Sequence, residues 1–303
     1  MANEDVFRLC TWNIQWGRGR DGRVDLGRTA GMLLATNADV ICLQEVAVNH
    51  PGLPGNPAGN QSILLAGALP GYEAVFAAGS DLTDGQGGRR QFGQLVLSRV
   101  PVLQVFRHCL PWLADPAVPS MQRVALEAVL AAPFGPLRVI TTHLEFYSRR
   151  QREAQVEALR AIHAEGWRHA HLGRSAADAD PPFAVLPRGG ATILCGDFNF
   201  PPGSPECRRL QEAFAAPEAD TPRLRDAWAS VRPQEPHAPT TGIAATEFVP
   251  SPACFDFFFV SENLVGNLDG ISVDAACEAS DHQPVILELD ANNGKKVIKV
   301  EGN

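Results

Sequence analysis

Apolar residues along this chain fall into short runs closed by glycine, proline or polar residues. The runs cover residues 7–12, 40–43, 95–97, 100–106, 124–130, 137–142, 192–195, 255–260 and 285–289. Runs of this length, rich in Val, Ile, Leu and Phe, predict strands. Helical spacing predicts a helix over 26–34 and a longer one over 148–171. In the latter, Val156, Leu159, Ile162 and Trp167 recur among charged residues. Ser204, followed by Pro205 and Glu206, has the signature of a helix start. Strands outnumber helices and come in consecutive pairs. That pattern predicts an α/β (α+β) sandwich of mixed or antiparallel sheets with helices outside. Residues 49–60 and 173–190 read as surface loops, not linkers. A single domain over residues 1–290 is expected.

Charge changes this picture only at the C-terminus. All 23 arginines lie at or before Arg232, and the three lysines are Lys295, Lys296 and Lys299. Residues 233–294 carry ten acidic and no Lys or Arg side chains. Residues 291–303 therefore read as a tail outside the fold, either appended and poorly ordered or native and solvated. An apolar content of 45% with 20% charged residues excludes wholesale disorder. No apolar run reaches the ~20 residues of a membrane helix, so stable membrane insertion is not expected. The first residues are acidic where a signal peptide would be basic. The seven cysteines are scattered without a CxxC pair, which points to a reducing cytoplasm and away from zinc. A net charge of −8 disfavours broad nucleic-acid binding but allows a local basic cleft. A monomer is expected.

The candidate chemistry sits where the strands end. Asn13, Glu45, His143, Asp197 and Asn199 follow apolar runs, and Asp281 and His282 precede one. Side chains at strand ends can converge on one edge of a sheet. Carboxylates and carboxamides suit a hard cation, Mg²⁺ or Mn²⁺. Each residue alone reads better as a turn or a satisfied core group. Their joint order is what points to a site.

These motifs carry a resemblance. Thr11-Trp12-Asn13-Ile14, Leu43-Gln44-Glu45-Val46, Thr142-His143-Leu144-Glu145, Gly196-Asp197-Phe198-Asn199, Phe255–Val260 and Ser280-Asp281-His282-Gln283-Pro284-Val285 together resemble the endonuclease/exonuclease/phosphatase family, the superfamily of deoxyribonuclease I. The resemblance implies a four-layer αββα sandwich, two mixed β-sheets face to face with helices outside. It implies metal binding by Glu45, with Asn13 and Asp281 as further ligands to metal or metal-bound water. Asp197 would orient or deprotonate the attacking water, and Asn199 would position phosphate and water. His143 and His282 would contact phosphate oxygens, and Asp256 would fix the tautomer of His282. Gln94 stands where the family usually has Asn. Arg149, at the start of the long helix, is a candidate for an anionic-substrate rim. His163, His169 and His171 read as a solvated helix end, and Pro111-Trp112-Leu113 as a buried turn.

The expected function is a divalent-metal-dependent phosphoesterase acting on a phosphodiester or phosphomonoester. Its substrate partner would be a small molecule or nucleic acid. The alternatives are a repair-type DNA nuclease, a sphingomyelinase-like lipid phosphodiesterase, and a binding protein of the same fold with an inactive site.

Overall fold

The structure is a computed structural model that describes residues 5–172, 188–245 and 248–292. Its strands are β1 (Val6–Asn13), β2 (Val40–Val48), β3 (Glu73–Thr83), β4 (Arg89–Ser98), β5 (Val102–Cys109), β6 (Val124–Ala132), β7 (Gly135–His143), β8 (Ala191–Asp197), β9 (Leu224–Asp226), β10 (Asp256–Ser261), β11 (Leu268–Val273) and β12 (Val285–Asp290). They form two six-stranded sheets, ordered β11-β12-β1-β2-β4-β3 and β5-β6-β7-β8-β10-β9. Both are mixed: β1 runs parallel to β2, β7 parallel to β8, and the other pairs are antiparallel.

The apolar runs have no polar alternation because most of these strands are buried on both faces. Alternate residues serve different layers. In β1, Phe7 and Leu9 join the core between the sheets, while Cys10 and Trp12 face a second cluster. In β10, Phe258 and Val260 point between the sheets, and Phe257 and Phe259 point outward. Helices α1 (Leu26–Ala35) and α2 (Gln61–Ala68) cover the first sheet. Helices α3 (Arg149–Ala170) and α4 (Pro205–Leu210) cover the second. The short α5 (Ala227–Val231) packs beside β10 and β11. The result is the expected four-layer sandwich. Side chains of Asp25, Asn60, Ser148 and Ser204 cap the N-termini of α1 to α4.

Beneath α3 lies a polar layer that periodicity does not reveal. Glu127 is fully buried on the outer face of β6 and receives Arg138 Nε at 2.7 Å. His108 Nε2 lies 2.9 Å from the same carboxylate. Arg138 also donates to the carbonyls of Ile162 and His163. Gly166 leaves room for this guanidinium, since a Cβ there would lie 1.9 Å from Arg138 Cζ. His163, expected at a solvated helix end, is instead buried, with Nε2 2.7 Å from the Pro222 carbonyl. His169 and His171 do lie on the surface, beside Glu165 and Trp167. Trp112, expected in a buried turn, is 55% exposed with its indole N–H held by Ser120. The C-terminal residues from 293, and most of the 173–190 loop, lie outside the described residues. Ala291 still packs into the core and donates to Asp5 O at 2.8 Å.

The polar layer makes an acid-sensitivity prediction. Burial would raise the Glu127 carboxyl, but the His108 contact and the Arg138 guanidinium outweigh it and hold its pKa at about 2, against 4.5 for the free group. A depressed carboxyl stabilises the fold fully above 4.5 and loses that contribution as pH falls toward 2. Arg138→Met should cost up to about 3 kcal/mol near neutrality, because it takes the shortest partner from a buried charge and leaves it only His108 and, at 3.4 Å, Arg188. It should also flatten the decline in stability between pH 5 and 3. Urea midpoints of both proteins across that range check this.

Candidate active site

The sheet registers bring the predicted residues to one edge. Asn13 ends β1 and pairs with Gln44 of the parallel β2. His143 ends β7 opposite Asp197, which ends the parallel β8. Because β10 runs antiparallel to β8, its first residue, Asp256, also lies opposite Asp197. β12 is antiparallel to β1, with Val285 opposite Thr11, so Asp281 and His282 just before it reach the same rim.

Backbone irregularity then aims the side chains. Between Leu43 and Val46 the β2–β4 register shifts, so Gln44 and Glu45 together oppose Gln94. This is a β-bulge, and Glu45 sits in it at φ 60°. Asn199 has φ 53° in the turn after β8. Gly196 has φ 131°, and the Thr142 carbonyl would lie 1.9 Å from any Cβ there. Non-glycine residues at positive φ concentrate at functional sites.

The side chains form one connected cluster. Asn13 Nδ2 donates to Glu45 Oε1 at 3.0 Å and to Asp197 Oδ2 at 3.1 Å. Its Oδ1 accepts from the Gln15 backbone N–H at 3.1 Å, so Asn13 ties the two sheets together across the rim. His143 places Nδ1 3.8 Å from Glu45 and Nε2 3.4 Å from Asp197. His282 Nδ1 lies 2.8 Å from Asp256 Oδ2, and its Nε2 lies 3.7 Å from Asp197 Oδ2. Asn199 donates its backbone N–H to Asp197 Oδ1 and its amide to the Leu144 carbonyl.

Other members were not among the predicted site residues. Gln15 Nε2 donates to Asp281 Oδ2 at 2.7 Å. The Thr240 hydroxyl donates to Asp256 Oδ2 at 2.6 Å while accepting the Asp256 N–H. Ser280 Oγ donates to the Asn13 carbonyl at 2.7 Å. Arg123 pairs with Glu145 behind His143. Gln15 follows Asn13 by two residues, but a glutamine in a turn carries no chemical signal by itself.

Two predicted substrate contacts fall differently. Gln94 is buried, shares a narrow pocket with Glu45, His143 and Arg123, and has an Oε1 without a hydrogen-bond partner. Arg149 is exposed and pairs with Glu153 at 2.8 Å and Glu206 at 3.8 Å, on the α3–α4 side of the molecule.

The electrostatics are those of crowded acids. Burial, then the nearby Asp281, pushes Glu45 up to about 7. Burial also pushes Asp197 up to about 6, although His282 opposes it. His143 is driven well below 6.5, first by burial and then by Arg123 and His282. Burial would lower His282 too, but Asp256 and then Asp197 outweigh it and hold this imidazole protonated above its ordinary range. Asp197, Asp256 and His282 each bring a ligating atom within 4.8 Å of the others. The 2.8 Å bond already joins Asp256 and His282, and Glu45 with its neighbour Asp281 brings further carboxylate oxygens to the same rim. Carboxylates that resist ionisation together are the donor set a hard divalent ion relieves.

Solved structures share the fold. An endonuclease/exonuclease/phosphatase from Beutenbergia cavernae matches with TM-score 0.66 and 23% identity, over 95% of this chain and 72% of that one. A Neisseria 3′ phosphatase bound to a product DNA hairpin matches with TM-score 0.58 and 19% identity, over 94% and 99%. A Bacteroides thetaiotaomicron mannosyl-6-phosphatase matches with TM-score 0.57 and 18% identity, over 93% and 99%. A comparison with curated proteins gave no match. The profile of the Endonuclease/Exonuclease/phosphatase family matches residues 10–282. The motifs at the strand ends and the two facing mixed sheets thus have one origin: this chain belongs to the endonuclease/exonuclease/phosphatase family.

Proposed function

We propose that the protein is a divalent-metal-dependent phosphoesterase that hydrolyses a phosphodiester or phosphomonoester by attack of water. The observation that carries this reading is the meeting of Glu45, Asn13, Asp197, His143 and His282 at one rim, linked by the contacts above. Glu45 and Asp281 would hold Mg²⁺ or Mn²⁺, with Asn13 bridging Glu45 to Asp197. Such an ion offsets phosphate charge and the further charge of the transition state. The remaining work belongs to the chain. Asp197, fixed by the Asn199 N–H and the Asn13 amide, orients a water and takes its proton. His282, held protonated by Asp256, offers Nε2–H to a phosphate oxygen. His143, neutral through burial, can offer a second ring N–H. Asn199, whose amide is held by the Leu144 carbonyl beside Asp197, would help position the phosphate and the water. Two structural neighbours are phosphatases by name, one bound to DNA and one acting on a mannosyl phosphate. They support ester cleavage without selecting between small-molecule and nucleic-acid substrates.

Cysteine chemistry supports a cytoplasmic setting, since all seven thiols are free and only Cys109 is exposed. No described helix is long and apolar enough to cross a membrane. The function is tested with bis-p-nitrophenyl phosphate and p-nitrophenyl phosphate. Hydrolysis of at least one is expected with Mg²⁺ or Mn²⁺, and EDTA should abolish it. Turnover unaffected by EDTA would overturn the mechanism.

A further inference from the structure

Beside Asp281 lies a cleft of about 470 Å³, lined by Gln15, Arg18, Arg20, Asp21, Glu278 and Asp281, among others. It adjoins the reaction site directly, because Gln15 and Asp281 are bonded to each other and belong to both. The charges along its wall are unevenly used. Asp21 pairs with Arg28 at 3.0 Å, and Arg20 lies 3.5 Å from Glu278. Arg18 makes no side-chain hydrogen bond or ion pair among the described residues, and its Nε–H is buried without an acceptor. A guanidinium in that state lacks the planar, two-oxygen partner its fork is built to hold.

Arg18 is also rigidly mounted. It follows the tight turn at Gln15–Gly17 and donates its N–H to the Gln15 carbonyl at 2.8 Å. It bridges to Val24 across a small hairpin, closed by Gly19 N–H to Arg23 O at 2.9 Å. Arg20 N–H donates to Glu278 O at 3.0 Å, which pins the hairpin to the segment leading into Asp281. An anionic group bound at Arg18 would therefore be held at a fixed offset from a phosphate at His282 and Asp197.

We infer that Arg18 forms a second anion subsite, and that the preferred substrate carries a second phosphate next to the one being cleaved. This rests on the phosphoesterase reading of the rim. The second phosphate could belong to a nucleotide chain or to a small bisphosphate, and the chemistry at Arg18 is the same for both.

The test is calorimetric binding of matched ligands with Mn²⁺ present, in the full-length chain carrying Asp197→Asn so that bound ligand is not hydrolysed. One pair is thymidine 3′,5′-bisphosphate and thymidine 5′-monophosphate; the other is glucose 1,6-bisphosphate and glucose 6-phosphate. The bisphosphate of at least one pair should bind roughly tenfold or more tightly than its partner, as expected for one charge-assisted contact. Arg18→Ala should bring that ratio close to one, and Arg18→Lys should keep part of it. An advantage confined to the nucleotide pair supports a nucleic-acid-like substrate, and one confined to the sugar pair a small bisphosphate. Equal affinities within both pairs with Arg18 in place would overturn the inference, as would a ratio unchanged by Arg18→Ala. Because the readout is a ratio of affinities, it stands apart from the hydrolysis test that decides the reaction itself.

Discussion

Replacing Asp197 with asparagine should lower kcat on phosphate esters by roughly 10³-fold, within the range for losing a positioned general base. The substitution keeps the shape of the side chain. The Asn199 N–H and the Asn13 amide hold the two carboxylate oxygens separately, at 3.0 and 3.1 Å, so the single amide oxygen of asparagine keeps one of these bonds and loses the other. The ability to take a proton is removed, together with one accepted hydrogen bond. Stability should move the other way. Burial raises Asp197 from 3.8 to about 6 in the folded chain, so its ionised form costs stability at every pH above that value. The cost fades as pH falls from 6 toward 3.8, below which both states are protonated. Without added metal, Asp197→Asn should therefore be no less stable than the parent at pH 7, and its advantage should vanish by pH 4. Thermal melts beside kinetics separate this from damage to the fold. A variant that lost activity only in step with its melting temperature would contradict the role given to Asp197.

Replacing Asp256 with asparagine should lower kcat by roughly 10²-fold, the scale of losing one charged stabiliser of the transition state. Asp256 is argued to act through His282, so its effect should carry a pH signature. The carboxylate lies 2.8 Å from Nδ1 and, against the effect of burial, keeps the imidazole charged. Asparagine cannot supply that charge. The proton on His282 should then leave at lower pH, and the alkaline limb of kcat should shift toward acid. The Thr240 hydroxyl, 2.6 Å from the same carboxylate oxygen, would still hold the side chain in place. A fall in kcat with an unmoved pH profile would leave Asp256 a merely structural role.

The core strands were legible in the sequence because they are buried on both faces, which turns alternation into unbroken apolar runs. Three strands escaped for the complementary reason. β3 and β11 lie at sheet edges with many exposed positions, and β9 has only three residues. Their composition does not distinguish them from loops. Helices α2 and α5 are short, at eight and five residues, too few turns for periodicity to register. Most of the site residues could be read because they lie at or just beyond the end of a strand, while Glu45 lies within β2 where an apolar run is interrupted. What joins them could not be. The bulge at Gln44–Glu45, the turn that lets Gln15 reach Asp281, and the Thr240 hydroxyl under Asp256 depend on pairings between segments far apart in the chain. His163 shows the opposite error. Its place near the end of a charged helix suggests solvent, yet the polar layer around Glu127 and Arg138 draws it inside. Arg149 shows the limit of position as a guide. It stands at the start of α3, six residues after His143, but its partners are Glu153 and Glu206.

The claim on which the chemistry depends is that a divalent ion sits among the crowded acids at the rim. Crystals soaked with Mn²⁺ and measured at a wavelength where manganese scatters anomalously locate it directly. An anomalous peak within coordination distance of the Glu45 carboxylate is expected, and it should disappear in Glu45→Gln. A peak found only at the surface histidines His169 and His171, with none at Glu45, would contradict the account.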